Sequence, residues 1–402
     1  MPDIYHPSPE ILQKYASVLV DFALNSGKGI KRGDVVRLSV SDSAKPFYVA
    51  LRNQILKSGG IPLSDYAPDG VARDYFELAG ESQLKFFAGK YYRGLADQID
   101  HSIGIISDVD KRELEGVNPQ KIMLRQQSVK PFRDWLDAKE NAGKFTWTLA
   151  LYGTPAMAKE AGMSLREYWD QIIKACFLDA ADPIAKWREV FKKNSEILDK
   201  INSLPIEKLH ISGEDVDLWI TLGEKRKWLG GSGRNIPSFE IFTSPDWRGT
   251  NGWIKFNQPL YRYGSLIKDI KLKFENGQVT QSSASLNYAV LKSMLEVENA
   301  DKIGEFSLTD KRLSRIDKFM AETLFDENIS GPFGNTHLAL GTADDDTYSG
   351  NLKTLTKSQK IKLGFNNSAI HTDIISTANR TVTAFLTNGS EKTIYRNGEF
   401  TI

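Results

Sequence analysis

Histidine is scarce in this chain, five among 402 residues, and two of the five fall among carboxylates between Gly304 and Asp373. In order, that stretch contains Gly304-Glu305, Asp326-Glu327-Asn328, His337-Leu338-Ala339-Leu340-Gly341 and His371-Thr372-Asp373. Imidazole and carboxylate are the ligand types that hold zinc, cobalt or manganese. The chemistry these residues permit is that of a hydrolytic metal centre. Each residue also has an ordinary reading. His371 and Asp373 are separated by one residue, and on a strand side chains i and i+2 share a face; an exposed strand would show the same pattern. Glu327 could be a solvated helix end and His337 a core histidine beside Leu338-Ala339-Leu340. Glu305, in Ile303-Gly304-Glu305-Phe306, and Glu240, in Phe239-Glu240-Ile241-Phe242, are lone acids in apolar strand patterns. Burying such an acid is costly unless something pairs with it, and a divalent cation is one such partner.

The elements that must position these residues read as two domains. Apolar residues at Ile11, Leu12, Tyr15, Val18, Leu19 and Phe22 have helical spacing over 9–26, and Asp34–Val40 reads as a β-branched strand. Helical patterns follow over 45–58, 82–99, 118–140 and 165–203, the last broken near Asp182-Pro183, with strands at Ile103–Ile106 and Phe145–Ala150. Strands alternating with helices predict an α/β N-terminal domain with a largely parallel sheet, over 1–200. Beyond it short β runs dominate (Leu209–Ser212, Leu218–Leu222, Glu240–Thr243, Trp253–Phe256, Ile270–Phe274), with helical patterns at 285–298 and 311–326. A final hairpin turns at Asn388-Gly389. These predict a mixed α+β C-terminal metal-binding domain over 201–402, the boundary falling near 190–210.

Length and composition are consistent with this division. A chain of this length exceeds what one core usually organises. Hydrophobic residues are 41% and charged residues 26%, ordinary for a globular protein, and 52 basic against 51 acidic side chains leave a net charge of +1. That balance argues against nucleic acid or a membrane surface as a partner. No apolar run is long enough to span a bilayer, the N-terminus lacks a signal-peptide pattern, and the single cysteine, Cys176, suits a reducing compartment; the expectation is a cytoplasmic protein. Cys176 lies in an apolar helical pattern and reads as structural rather than catalytic. No dinucleotide fingerprint follows the first strand, and Gly230-Gly231-Ser232-Gly233 reads as a loop rather than a phosphate cradle.

Taken together, the motifs resemble the thermophilic aminopeptidase family of metallopeptidases (aminopeptidase T and aminopeptidase S type). The matching residues are Arg234-Asn235-Ile236-Pro237 with Glu240-Ile241-Phe242-Thr243-Ser244-Pro245, Ile303-Gly304-Glu305, Leu324-Phe325-Asp326-Glu327-Asn328, His337–Gly341 and Ile370–Asp373, in the family's order. Ala161–Ser164, Asp182-Pro183 with Trp187, and the last hairpin extend the likeness over most of the chain. The resemblance implies a metal-dependent aminopeptidase that hydrolyses the N-terminal peptide bond at a dinuclear centre. It implies Glu240, Glu305, Glu327, His337, His371 and Asp373 as ligands, with Glu305 a plausible bridge and Glu305 or Glu240 the general base. Two divalent ions (zinc, cobalt, manganese or magnesium), peptide substrates with a free N-terminus and a homodimer follow from it. A catalytically inactive peptide- or ligand-binding relative is the alternative.

Three departures stand out. The Ile329–Thr336 connection is longer than usual for the family. Asp344 occupies the position, seven after His337, where the family generally has a tyrosine, and Tyr348 lies four residues further on. After Asp373 the chain reads Ile374-Ile375-Ser376-Thr377, where the family usually has Met-Ile-Gly-Ser.

Overall fold

The computed structural model describes residues 5–402. The chain divides into two compact units. The first comprises the chain up to Lys186 together with Ser232–Ile236, and the second Trp187–Gly231 with Pro237–Ile402.

The first unit is built on a parallel sheet of β1 (Val35–Ser41), β2 (Ile61–Ala67), β3 (His101–Ile106) and β4 (Thr146–Leu151), in the order β2-β1-β3-β4. This is the α/β arrangement that the alternating pattern predicts. The helix Lys45–Lys57 buries Phe47, Leu51 and Ile55, one per turn, and Phe47 stacks on Tyr15 of the helix Pro9–Val18 at 4.7 Å. The expected helix over 82–99 is two, Glu81–Lys85 and Gly89–Gln98, because Phe86 adopts an extended backbone after the first. β2 has no counterpart in the sequence reading: it is an edge strand with Pro62 at its second position, and most of its residues are exposed. Cys176 is buried. Burial pushes its thiol up to about 12, against the pull of a Tyr15 hydrogen bond, which leaves it unsuited to nucleophilic work.

Ser232–Ile236 runs beside β4, where Leu149 N–H donates to Arg234 O at 2.7 Å and Ile236 N–H to Leu149 O at 3.0 Å. Gly233 has φ +78°, and a Cβ there would stand 2.1 Å from Ala23 O. Close backbone approach thus accounts for this glycine in the 230–233 loop.

The second unit stacks two large antiparallel sheets and carries one separate two-stranded hairpin. Its strands are β5 (Ile206–Gly213), β6 (Val216–Thr221), β7 (Leu229–Gly230), β8 (Glu240–Thr243), β9 (Asp246–Lys255), β10 (Leu260–Arg262) and β11 (Ser265–Ile267). There follow β12 (Lys271–Glu275), β13 (Gln278–Ser283), β14 (Ile303–Thr309), β15 (Asn335–Gly341), β16 (His371–Ser376), β17 (Thr381–Leu386), β18 (Glu391–Arg396) and β19 (Glu399–Phe400). One sheet runs β13-β12-β9-β6-β5-β17-β18-β19 and the other β16-β15-β14-β8-β7. Their facing side chains form one apolar core: Leu209, Ile211, Leu218 and Ile220 from the first, Ile241, Phe306, Leu308, Leu338, Leu340 and Ile374 from the second. The fully buried Arg380 also links them, donating to Thr336 Oγ1 at 2.7 Å and pairing with Asp215 at 2.8 Å.

The helix expected over 311–326 is a correction: only Thr323–Asp326 is helical. Side chains supply the backbone partners a helix would have used. The Asp326 carboxylate accepts from Met320 N–H at 2.6 Å and Glu322 N–H at 2.9 Å, and Asp310 accepts from Arg312 N–H at 2.9 Å. Among the described residues no helix is long and apolar enough to cross a membrane.

Candidate metal centre

The five-stranded sheet turns one face to the apolar core and collects polar side chains on the other. In antiparallel pairs, directly opposed residues share a face. Register pairs Thr309 with Glu240, Ser307 with both Phe242 and His337, Glu305 with Ala339, Ala339 with Asp373, and Gly341 with His371. Glu240, Glu305, Ser307, His337, His371 and Asp373 therefore project from a single face. A bulge at Gly304 makes this possible. Ile303 opposes Leu340 on the core face, and the extra residue shifts parity so that Glu305 faces outward. Only glycine fits at the bulge, since a Cβ would stand 2.3 Å from Thr342 O and 2.6 Å from Gly341 O.

Two groups of donors result. Glu240, Glu305 and His337 bring ligand atoms within 4.8 Å of one another, and so do Glu305, Asp344 and His371. Glu305 belongs to both. His337 Nε2 lies 3.1 Å from Glu305 Oε1 and 3.4 Å from Glu240 Oε2. His371 Nε2 lies 3.3 Å from Asp373 Oδ1 and 4.0 Å from Glu305 Oε2. Ser307 Oγ donates to Glu240 Oε2 at 3.2 Å. His371 Nδ1–H donates to Thr342 O at 2.9 Å, an assignment that leaves Nε2 as the ligand nitrogen.

Glu327 lies outside both groups, at the C-terminal end of the short helix Thr323–Asp326, yet it is buried and senses Glu240, Asp373 and Glu305. Its neighbours fix it. Asn335 Nδ2 donates to Glu327 O at 2.9 Å, and Asn328 Oδ1 accepts from Phe239 N–H at 2.7 Å, tying that helix end to the residue before Glu240. Of the six residues singled out from sequence, five thus take part in short donor contacts and Glu327 faces them. Asp344 is the added member. Tyr348 is buried, its ring 6.5 Å from that of Phe365.

The cluster cannot carry all its charges as bare anions. Burial first, and then the neighbouring Asp344 and Glu240, hold the Glu305 carboxyl well above the usual range; burial with Glu240 and Asp373 does the same for Glu327. Burial opposes the imidazolium of His371, but Asp373, Glu305 and Asp344 outweigh it and raise the ring well above its ordinary value. His337 is raised in the same way, against burial, by Glu240 and Asp373. Asp373 is lowered to about 2, because His371 and His337 overcome the effect of burial. The crowding that favours protons here would equally favour a divalent cation. The donors are all oxygen and imidazole nitrogen, and His337 Nδ1 is buried with no hydrogen-bond partner. This set fits hard or borderline divalent metals.

Comparison with known proteins bears on the same residues. The model of the thermophilic metalloprotease (M29) family matches residues 8–400. The chain belongs to this family. Over 97% of its length it is 26% identical to aminopeptidase AmpS of Bacillus subtilis (98% of that protein), and over 96% it is 27% identical to aminopeptidase T of Thermus thermophilus (98% of that protein). The solved structure of AmpT from Thermus thermophilus has the same fold, with a TM-score of 0.82 at 24% identity, covering 98% of this chain and 99% of that one. As an M29 protein the chain is a metallopeptidase, and the polar face of its five-stranded sheet is where its described metal-ligand types converge.

Proposed function

We propose that this M29 chain is an aminopeptidase that hydrolyses the N-terminal peptide bond of peptides at a centre of two divalent ions. The observation that carries the reading is the placement of Glu305 in two donor groups at once, the arrangement a bridging carboxylate requires. The near full-length likeness to proteins named aminopeptidases supports it. Glu240, Glu305, Glu327, His337, His371 and Asp373 would hold the ions, for which zinc, cobalt, manganese and magnesium all suit the donors. When bound, such ions polarise a peptide carbonyl and acidify a water molecule.

The chain's own residues supply the rest. As water adds to the scissile carbonyl carbon, a carboxylate takes its proton. The C–N bond then breaks and that proton passes to the departing amine. Glu305 and Glu240, the latter held by a Ser307 hydrogen bond, are the two candidates for this base and acid.

The same reading includes a homodimer and cytoplasmic residence. Exposed Leu78 (84%), Tyr91 (68%) and Phe86 (67%) in the first unit are apolar surface that a second subunit could cover. A single, buried cysteine suits a reducing compartment.

The test is a peptide panel on metal-stripped protein, with zinc, cobalt, manganese and magnesium returned separately. Release of the first residue should require a returned metal and disappear when the peptide is N-acetylated. Equal cleavage of acetylated peptides, or no cleavage with any of the metals, would overturn the reading.

A further inference from the structure

We propose that Asp344 is itself a metal ligand, completing the outer group with Glu305 and His371. The inference rests on the two-ion reading above and adds a residue of this chain to it. Asp344 lies in a run of three acids, Asp344-Asp345-Asp346, whose simplest role is a solvated loop. Its surroundings exclude that role. Asp345 is neutralised by an ion pair with Lys360. Asp344 precedes the 3₁₀ turn Asp345–Thr347, where an aspartate would normally turn its carboxylate onto the N–H groups of that turn. It makes no such side-chain cap. Its carboxyl instead meets that of Glu305, and its oxygen lies within 4.8 Å of the ligand atoms of Glu305 and His371.

The backbone enforces this direction. Asp344 N–H donates to the buried Ser244 Oγ at 2.8 Å, Thr347 Oγ1 donates to Asp344 O at 2.7 Å, and Lys227 N–H donates to Thr347 O at 2.8 Å. Just upstream, Thr342 N–H donates to Ile370 O at 2.8 Å, while Thr342 O accepts from His371 Nδ1. The loop that carries Asp344 and the strand that carries His371 are therefore fixed to each other. Two carboxyl groups pressed together beside an imidazole need something positive between them, and a divalent ion satisfies all three donors at once. Position 344 thus places an anionic donor beside Glu305 and His371.

The experiment titrates metal-stripped protein with Co²⁺, following heat and the visible Co²⁺ spectrum, for wild type, Asp344→Asn and Asp344→Tyr. Both variants keep the Asp344 backbone N–H, and the melting of the metal-free proteins reports whether the loop survives. Wild type should bind two equivalents. In both variants the first should bind as in wild type and the second at least about tenfold more weakly, with an altered spectrum. An unchanged second affinity in both variants would overturn the assignment. Equal weakening of both ions would also overturn it, since that is the mark of a structural role. Fewer than two equivalents in wild type would sink the two-ion reading itself, before any variant is measured.

Discussion

The inner donor group and the outer one are positioned by different means. Glu240, Glu305 and His337 all stand on strands, and every residue of β14 and β15 is buried. In the outer group Asp344 is on a loop and His371 is the first residue of β16. The side chain of His337 is 1% exposed and that of His371 30%. Sheet register, with the core packed behind it, sets the inner group. The outer group depends on hydrogen bonds between a loop and a strand end, and it is the side that solvent, and hence a peptide, can reach. Register and packing hold the inner group, whereas the outer one is held by a few named hydrogen bonds, so single substitutions should reach the outer part more readily.

The largest expected effect breaks the comparison by removing what the groups share. Glu305→Gln keeps the shape of the side chain but takes an anionic donor from both groups and the proposed base from the reaction. Turnover should fall by about 10²–10⁴-fold, with the protein still folded and metal content reduced at both positions. Steady-state kinetics and elemental analysis of the same sample check this. Near-normal turnover would remove Glu305 from the chemistry, and loss of one ion alone would contradict its shared position.

Acidification should separate the groups. A raised histidine pKa means that the folded, metal-free protein keeps its proton to higher pH, so below that pKa a metal must expel a proton to bind. Both rings are raised, and the loop-held outer group is the more open to solvent, the His371 side chain being 30% exposed against 1% for His337. Apparent affinity should therefore fall by about tenfold per pH unit for each proton displaced, and the outer ion should leave at the higher pH. Metal retained after dialysis at a series of pH values gives the order. Simultaneous loss of both ions, or loss of the inner one first, would contradict the assignment.

Much of this centre was legible in the sequence, and the failures have physical causes. The lone acid in the Ile303–Leu308 strand pattern and the His371–Asp373 spacing mark side chains that stand on one sheet face, and the β/α alternation anticipates the parallel sheet. The parity of Glu305 was not legible. By a strict period of two it would share a face with Ile303, and only the bulge at Gly304 separates them. The helix pattern over 311–326 failed because Asp310 and Asp326 compete for backbone N–H groups, an effect apolar periodicity does not register. The sequence marks Asp344 as a departure but not as a donor. Three adjacent acids look alike in sequence; the Lys360 partner of Asp345, the missing cap of Asp344 and its contact with Glu305 set Asp344 apart from Asp345.

The smallest predicted effect tests whether the groups are supported independently. Ser307 donates to Glu240 in the inner group, while Ser244 accepts from the Asp344 backbone in the outer one; both serines are fully buried. Neither is a proposed ligand, so each acts only by orienting one. Ser307→Ala should weaken the inner ion by about tenfold, the low end of what such supporting hydrogen bonds contribute, and leave the outer ion nearly unchanged. Ser244→Ala should do the reverse, because the Asp344 loop loses an anchor while the strand register beneath Glu240 and His337 stays intact. Co²⁺ titration of the two variants side by side reads both affinities. If either substitution weakens both ions equally, orientation passes through Glu305 to the whole cluster, and the division into a sheet-built and a loop-built half fails.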